Sequence, residues 1–273
     1  MSRISNSELH SRSYEYKKRS NNSKYISKQI KTEKATYKTL QVDTGLESYI
    51  NAETGEMGAR YLRYYDLFEY FNKDAKDTLL IGGAAYTYPI HYLQKYKDKK
   101  IDVVEIDDKM TRIAVEQFGL NINDSRLHVF NQDGRSYLNY SKNKYDTILI
   151  DAFKGLNAPF ELTTYEALSH AKDILKPNGI VLTNIIASIE GEESKFIQYE
   201  YATYRAVFDD VKIFMVANKD RTDRQNLILV GIKGNPEIDK SKISEYERYL
   251  DMEVTQFETN KRIVTDDFAP IGH

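Results

Sequence analysis

Cysteine and tryptophan are both missing from this chain of 273 residues. Without cysteine there is no disulfide, no thiolate metal site and no cysteine nucleophile. Such a chain suits a reducing compartment, and a cytoplasmic protein is the expectation. The five histidines, His10, His91, His128, His170 and His273, show no metal-ligand spacing, so no metal is expected. His91 and His170 read most simply as helix-surface residues. No apolar run approaches the ~18 residues of a membrane span. The N-terminus has no uninterrupted apolar stretch of the signal-peptide kind, so no secretory leader is expected. There is no Gly-Lys-Ser/Thr of a P-loop and no Gly-x-Ser-x-Gly elbow.

Charge is nearly balanced, with 39 Lys and Arg against 41 Asp and Glu, but it is unevenly spread. The first 40 residues hold ten Lys and Arg against three Glu, among many Ser, Asn and Tyr. This stretch has no basic helical stripe and few aliphatic residues. It reads as a solvated, flexible leader over 1–35 rather than a nucleic-acid arm, and no nucleic-acid partner is expected.

Beyond this stretch the chain becomes periodic. Residues 36–51 alternate apolar and polar around Asp43-Thr44-Gly45, which predicts an antiparallel hairpin. The weaker pattern over 24–30 adds to it, giving a small β annex. Tyr61, Tyr64, Tyr65, Phe68 and Phe71 then fall at helical spacing. From 73 onward strands alternate with helices. Strands are expected at 78–81, 101–106, 127–131, 145–151, 180–186, 211–216 and 226–232. Helices are expected from Pro89, over 109–118, from a capping box at Thr163-Thr164-Tyr165-Glu166, and over 194–207. Pro177-Asn178-Gly179 reads as a turn. The last two strands are joined by a short polar loop over 218–224 and are expected to pair antiparallel. The organisation expected is therefore a leader over 1–35, a small β/helix region over 36–72 and a nucleoside-binding domain over 73–273. The fold class is α/β, a Rossmann-like sheet with right-handed crossovers whose terminal hairpin marks the S-adenosylmethionine-dependent methyltransferase fold.

Ligands of open α/β sheets bind outside the carboxyl ends of the strands. Four strand ends there carry suitable residues. Gly82, Gly83 and Ala84 follow the first strand and let backbone approach a ligand. Glu105, followed by Ile106, ends the second strand, 23 residues after Gly82. That is close to the ~20 expected of a carboxylate that holds a ribose diol. Asp133-Gly134 follows the third strand, where a carboxylate suits an exocyclic adenine amine. Asp151 ends the fourth. Each has a plainer reading: a tight turn for Gly82-Gly83 and Asp133-Gly134, a helix cap for Asp107 or Asp108, and a cap or interdomain tie for Asp266-Asp267. The stretch Gly82-Gly83-Ala84-Ala85-Tyr86-Thr87 lacks the third, spaced glycine of a pyrophosphate cradle. A donor without pyrophosphate, such as S-adenosylmethionine or its decarboxylated form, needs no such cradle.

Leu79-Leu80-Ile81-Gly82-Gly83, Val104-Glu105-Ile106-Asp107, Gln132-Asp133-Gly134-Arg135, the strand from Tyr145 to Asp151, Leu175-Lys176-Pro177-Asn178-Gly179 and Thr265-Asp266-Asp267-Phe268-Ala269-Pro270 together resemble the polyamine aminopropyltransferases, or spermidine synthases. The likeness is nearest to the branch of spermidine-synthase-like domains and spans about 36–271. It implies that decarboxylated S-adenosylmethionine gives an aminopropyl group to a small amine, often in a homodimer. By position, Glu105 would hold the ribose, Asp133 the adenine amine, and Asp151 would face the attacking amine as catalytic carboxylate. Glu47, Tyr64 and Tyr65 would line the acceptor side. Two acidic positions of the family are lost: Ala85 stands in the glycine loop, and Lys154 stands three residues after Asp151. These losses keep open a methyltransferase with intact S-adenosylmethionine, and a ligand-binding relative without catalysis.

Overall fold

The structure, a computed structural model, describes residues 15–19, 24–32, 35–43, 45–152 and 160–269; of residues 15–19 and of Glu47 it describes the backbone alone. Four strands come first: β1 (Glu15–Arg19), β2 (Lys24–Lys31), β3 (Thr36–Val42) and β4 (Gly45–Asn51). They form an antiparallel sheet in chain order. The hairpin expected over 36–51 is β3 and β4, with Asp43 left-handed at φ 54 in its turn. The stretch expected as a leader needs correction, because β1 and β2 lie inside it. Averaging over a basic stretch hides a local apolar anchor. Tyr25 and Ile26 are buried on β2, and Tyr25 packs with Leu40, Ile50 and Met110.

A 3₁₀ helix over Arg60–Leu67 runs into α1 (Phe68–Phe71). Then follow β5 (Asp77–Ile81), α2 (Thr87–Lys95), β6 (Lys100–Val104), α3 (Asp108–Ile113), β7 (Leu127–Phe130), α4 (Gly134–Tyr140) and β8 (Tyr145–Ile150). The chain continues with α5 (Tyr165–Ile174), β9 (Leu175–Ala187), α6 (Lys195–Val207), β10 (Asp210–Met215), β11 (Gln225–Ile232) and α7 (Ile243–Leu250). The seven strands order as β10-β11-β9-β8-β5-β6-β7. The last five in this order, β9 to β7, are parallel, while β11 runs antiparallel to both β9 and β10. This is the expected Rossmann-like, methyltransferase-type sheet.

Side chains alternate between the sheet's faces with the period of two that strands impose. Leu80, Leu149, Leu182 and Ile228 go to one face with Phe68, Tyr92 and Tyr246 from α1, α2 and α7. Leu79, Ile81, Ile148 and Leu229 go to the other with Leu138, Leu168 and Tyr204 from α4, α5 and α6. Each such buried side chain contributes roughly 1.5–3 kcal/mol. Both faces are covered, so strands read as continuous apolar runs, as parallel sheets require.

Three local expectations change. The cap of α5 is Thr164, whose Oγ1 accepts from the Ala167 amide, and not Thr163. Pro177-Asn178-Gly179 is no turn between elements: β9 runs through it, and its register against β8 jumps from Leu175 opposite Tyr145 to Ile180 opposite Thr147. Asn178, at φ 63, absorbs that irregularity. His91 is not a bare surface residue, because its Nε2 lies 2.9 Å from the buried Asp66 carboxylate. Lys95 and the Tyr88 hydroxyl donate to the same carboxylate, at 3.0 and 3.2 Å. Burial alone would raise the Asp66 pKa, but His91 and Lys95 outweigh it and hold the carboxyl below its ordinary value.

Candidate active site

The loop after β5 is shaped by backbone conformation. Gly82, Ala84 and Tyr86 all adopt left-handed φ, at 93, 45 and 57. At Gly82 a Cβ would stand 2.3 Å from the Asp151 carbonyl oxygen, so β5 and β8 approach each other too closely there for any side chain. Ala84 and Tyr86 hold a conformation that costs L-residues about 1 kcal/mol or more each. Tyr86 compensates by full burial and by a 2.7 Å hydrogen bond between its hydroxyl and Thr111.

Glu105 secures this loop. Its Oε2 accepts from the Gly83 and Ala84 amides at 2.8 and 3.1 Å, and its Oε1 from the Asp107 amide at 2.9 Å. Only 7% of the residue is exposed, and burial raises its pKa despite those three amide donors. A carboxylate offers about four acceptor positions, so roughly one is left for a further donor. Ile106 presents a large apolar surface beside it, 69% exposed. Asn131 fixes this corner by donating to the Glu105 and Ile106 carbonyl oxygens. Asp107 caps α3 through the Lys109 amide and accepts the Tyr25 hydroxyl, so the plainer reading holds for it. Asp108 pairs with Arg112 one helical turn on. Asp133 also serves as a cap, its Oδ1 accepting from the Ser136 amide at 2.8 Å at the exposed start of α4. At Gly134 a Cβ would meet Ile81 at 2.5 Å, which is why α4 starts on glycine.

Asp151 follows β8, one strand over. Tyr61 donates to its Oδ2 at 3.1 Å, and Asn184 Nδ2 donates to its Oδ1 at 3.2 Å. Asn184 in turn accepts from Asn226 Nδ2 at 2.9 Å. The Tyr65 hydroxyl is fully buried and faces Asp151 without a hydrogen bond of ordinary geometry. Burial first, and the Asp151 charge second, push that phenol well above its ordinary pKa, so it stays protonated.

The sequence-predicted residues are thus partly brought together. Gly82 and Asp151 touch through backbone, Gly83, Ala84 and Glu105 form one hydrogen-bonded loop, and Tyr65 faces Asp151. Tyr64 does not join them. Its hydroxyl donates to the Met215 carbonyl at 2.9 Å and its ring packs on Tyr249, so the expectation that it lines the acceptor side is corrected. Neighbouring residues on a 3₁₀ or α-helix point about 100–120° apart, and the helix turns the buried Tyr65 toward Asp151 and the buried Tyr64 toward Met215 and Tyr249. The Glu47 side chain and Lys154 lie outside the described residues. Ala85 is fully buried with Tyr25, Leu40 and Met110, and its amide reaches Ser48 Oγ on β4 at 3.3 Å. Sequence reasoning misses Asn184 and Asn226. Their signal is an amide side chain inside otherwise apolar strand runs, where asparagine is disfavoured. Tyr61 stands out in the sequence only as part of the aromatic stripe.

The acidic tail is a tie. Asp266 accepts from Arg135 and from the Thr164 hydroxyl at 2.6 and 2.7 Å, and its amide donates to Glu166. Glu166 therefore holds the tail instead of closing a capping box. Among the described residues no cluster of side chains is fit to hold a metal.

A family profile described as spermine/spermidine synthase domain matches residues 67–241, more than half of the chain. The chain belongs to the spermine/spermidine synthase family. A polyamine aminopropyltransferase of Vibrio vulnificus is 26% identical over 73% of this chain and 70% of its own length. A polyamine aminopropyl transferase of Bifidobacterium longum, described as probable, is 31% identical over 44% of this chain and 26% of its own length. Among solved structures, a probable spermidine synthase of Corynebacterium glutamicum superposes with a TM-score of 0.71 at 18% identity, covering 87% of this chain and 86% of that one. Human methyltransferase-like protein 13 superposes with a TM-score of 0.57 at 20% identity, over 71% of this chain and 91% of that one. At these identities the structures speak to the fold this family member shares. No helix among the described residues is long and apolar enough to cross a membrane.

Proposed function

We propose that this spermidine-synthase-like chain is a transferase that binds an S-adenosylmethionine-type donor and moves its aminopropyl group to a small amine. The observation that carries this reading is Asp151, a carboxylate at a sheet edge pinned from two sides by Tyr61 and Asn184. It stands next to a glycine loop held by Glu105. An amine attacks only through a free lone pair, so it must lose a proton to a base of suitable position. In the reaction the amine nitrogen bonds to the propyl carbon next to the sulfonium, the carbon–sulfur bond breaks, and neutral methylthioadenosine leaves. The amine proton passes to Asp151. A related family structure, a spermidine synthase, is described in complex with the transition-state analogue AdoDATO.

The donor's shape suits the crevice residues. The backbone at Gly82 and Gly83 admits close approach, Ile106 offers apolar surface to a base, and Glu105 keeps an acceptor for the ribose. Asp133 would reach the adenine amine. Tyr65 and Glu47 belong to the acceptor side of this proposal, and self-association as a homodimer is tested by light scattering.

A specific observation supports a second reading, methyl transfer from intact S-adenosylmethionine. Position 85 carries a buried methyl group and no charge, so nothing there selects the decarboxylated donor. Purified protein incubated with each donor and a panel of amines separates the two readings by product mass. Calorimetry with methylthioadenosine and S-adenosylhomocysteine reads binding directly, and binding of neither would leave only the non-catalytic reading. Asp151→Asn keeps the shape and removes the base. It is expected to lower kcat for aminopropyl transfer by about 10²–10⁴-fold with little change in nucleoside affinity. Full activity in that variant would remove Asp151 from the chemistry.

A further inference from the structure

Asp151 stands at the end of a relay that crosses three strands' worth of sheet. Asn184 lies on β9 and Asn226 on β11. In the antiparallel register Asn184 faces Ile228 and Asn226 faces Ile186, so the two amides are diagonal neighbours on one face of the sheet. Diagonal pairs are within reach of medium side chains. Asn226 Nδ2 donates to Asn184 Oδ1 at 2.9 Å, and Asn184 Nδ2 donates to Asp151 Oδ1 at 3.2 Å.

A carboxamide has one donor end and one acceptor end. Turned the other way, Asn184 would set its carbonyl oxygen against a carboxylate oxygen, two acceptors with no proton between them. The contact with Asp151 favours one orientation. The donor at position 226 enforces the same one from behind, and Asn184, 2% exposed, has little water to turn to. With Tyr61 on Oδ2, both Asp151 oxygens are then fixed and the plane of the carboxylate with them.

We propose that Asn226 is a positioning residue: by donating to the Asn184 carbonyl oxygen it reinforces the orientation that turns the Asn184 amino group to Asp151, and so helps to set the direction in which Asp151 meets the acceptor amine. This rests on the proposed role of Asp151 as the proton acceptor. A residue that merely joined β9 to β11 would make a different demand. For that role Asn226→Asp, which preserves shape, is the milder change and Asn226→Leu the harsher one.

Orientation control reverses the order. Asn226→Asp offers an acceptor where a donor is needed, and turns the Asn184 amino group away from Asp151. Asn226→Leu offers nothing, and leaves Asn184 bonded to Asp151. The expected kcat loss is about 10–100-fold for Asn226→Asp and under about 5-fold for Asn226→Leu, with KM for the donor changed less than about 2-fold in both. A second readout needs no turnover. The Asn184 side-chain amide signal, assigned by its loss in Asn184→Leu, is followed by ¹H–¹⁵N NMR. One amide proton is expected downfield in the wild type and in Asn226→Leu, and moved upfield in Asp151→Asn and Asn226→Asp. An Asn184 signal unmoved in Asn226→Asp overturns the proposal, as does a larger kcat loss in Asn226→Leu than in Asn226→Asp. If the wild type transfers no aminopropyl group, the proposed function fails while the amide signal still decides the relay.

Discussion

Gly82 meets two demands at once that no other residue type satisfies: a φ of 93 and a neighbouring carbonyl 2.3 Å from where a Cβ would be. An alanine there is strained by about 1–3 kcal/mol and must also push the loop off the end of β8. Gly82→Ala is therefore expected to weaken methylthioadenosine binding tenfold or more by calorimetry and to lower the melting temperature by several degrees. Unchanged affinity would show that the loop does not meet the nucleoside. Gly82, Glu105 and Asp151 are legible in the sequence because each interrupts an apolar strand at its carboxyl end, where an open sheet puts its ligands. Tyr64 and Tyr65 are not separable there, since adjacent aromatic residues share a stripe in the sequence and only helix phase tells them apart. Asn184 and Asn226 are hidden for a different reason. A hydrogen bond between diagonal residues on two strands 42 positions apart leaves no local pattern.

At the scale of elements, α6 packs a carboxylic acid into the interior. Glu200 is fully buried, accepts from the Thr163 hydroxyl at 2.9 Å, and burial pushes its pKa up to about 8. Folded, it holds its proton to about that pH; unfolded, it ionises near ~4.3. The folded state binds more protons between these limits, so this group removes stability as pH rises through the window, by at most about 1.4 kcal/mol per pH unit. Glu200→Gln keeps an acceptor for Thr163 and cannot ionise. Denaturant titrations at pH 5, 6.5 and 8 are expected to show a wild type that loses stability relative to the variant as pH rises. A constant difference would mean that Glu200 ionises in the folded protein. This helix itself is legible from its periodicity, and so are most strands. The cap of α5 falls one residue late because two threonines stand side by side and both hydroxyls are used: Thr164 caps, while Thr163 holds Glu200. The course of β9 through Pro177 is not legible, since a bulge admits the proline and the glycine that usually end a strand.

At the scale of the whole molecule, the parallel sheet follows from alternation, and the pairing of β10 with β11 from the short polar loop between them, because a link that short joins only antiparallel neighbours. The N-terminal sheet is half legible. The hairpin of β3 and β4 shows in its alternation and β2 in the weaker pattern over 24–30, while β1 is lost in the surrounding charge. That second sheet does more than lengthen the protein. Its Ser48 holds the Ala85 amide, its Tyr25 hydroxyl reaches Asp107, and Leu40 and Ile50 close over the buried Ala85. Two separately hydrogen-bonded sheets therefore meet at the glycine loop after β5, and free energy flows both ways across such a joint. Whatever steadies the loop must slow the opening of β2 and β3. Saturating methylthioadenosine is expected to retard amide hydrogen exchange in these strands. Should it bind and leave their exchange untouched, the sheets are thermodynamic strangers. If exchange slows, the basic N-terminal stretch carries a remote report of whether the crevice is full.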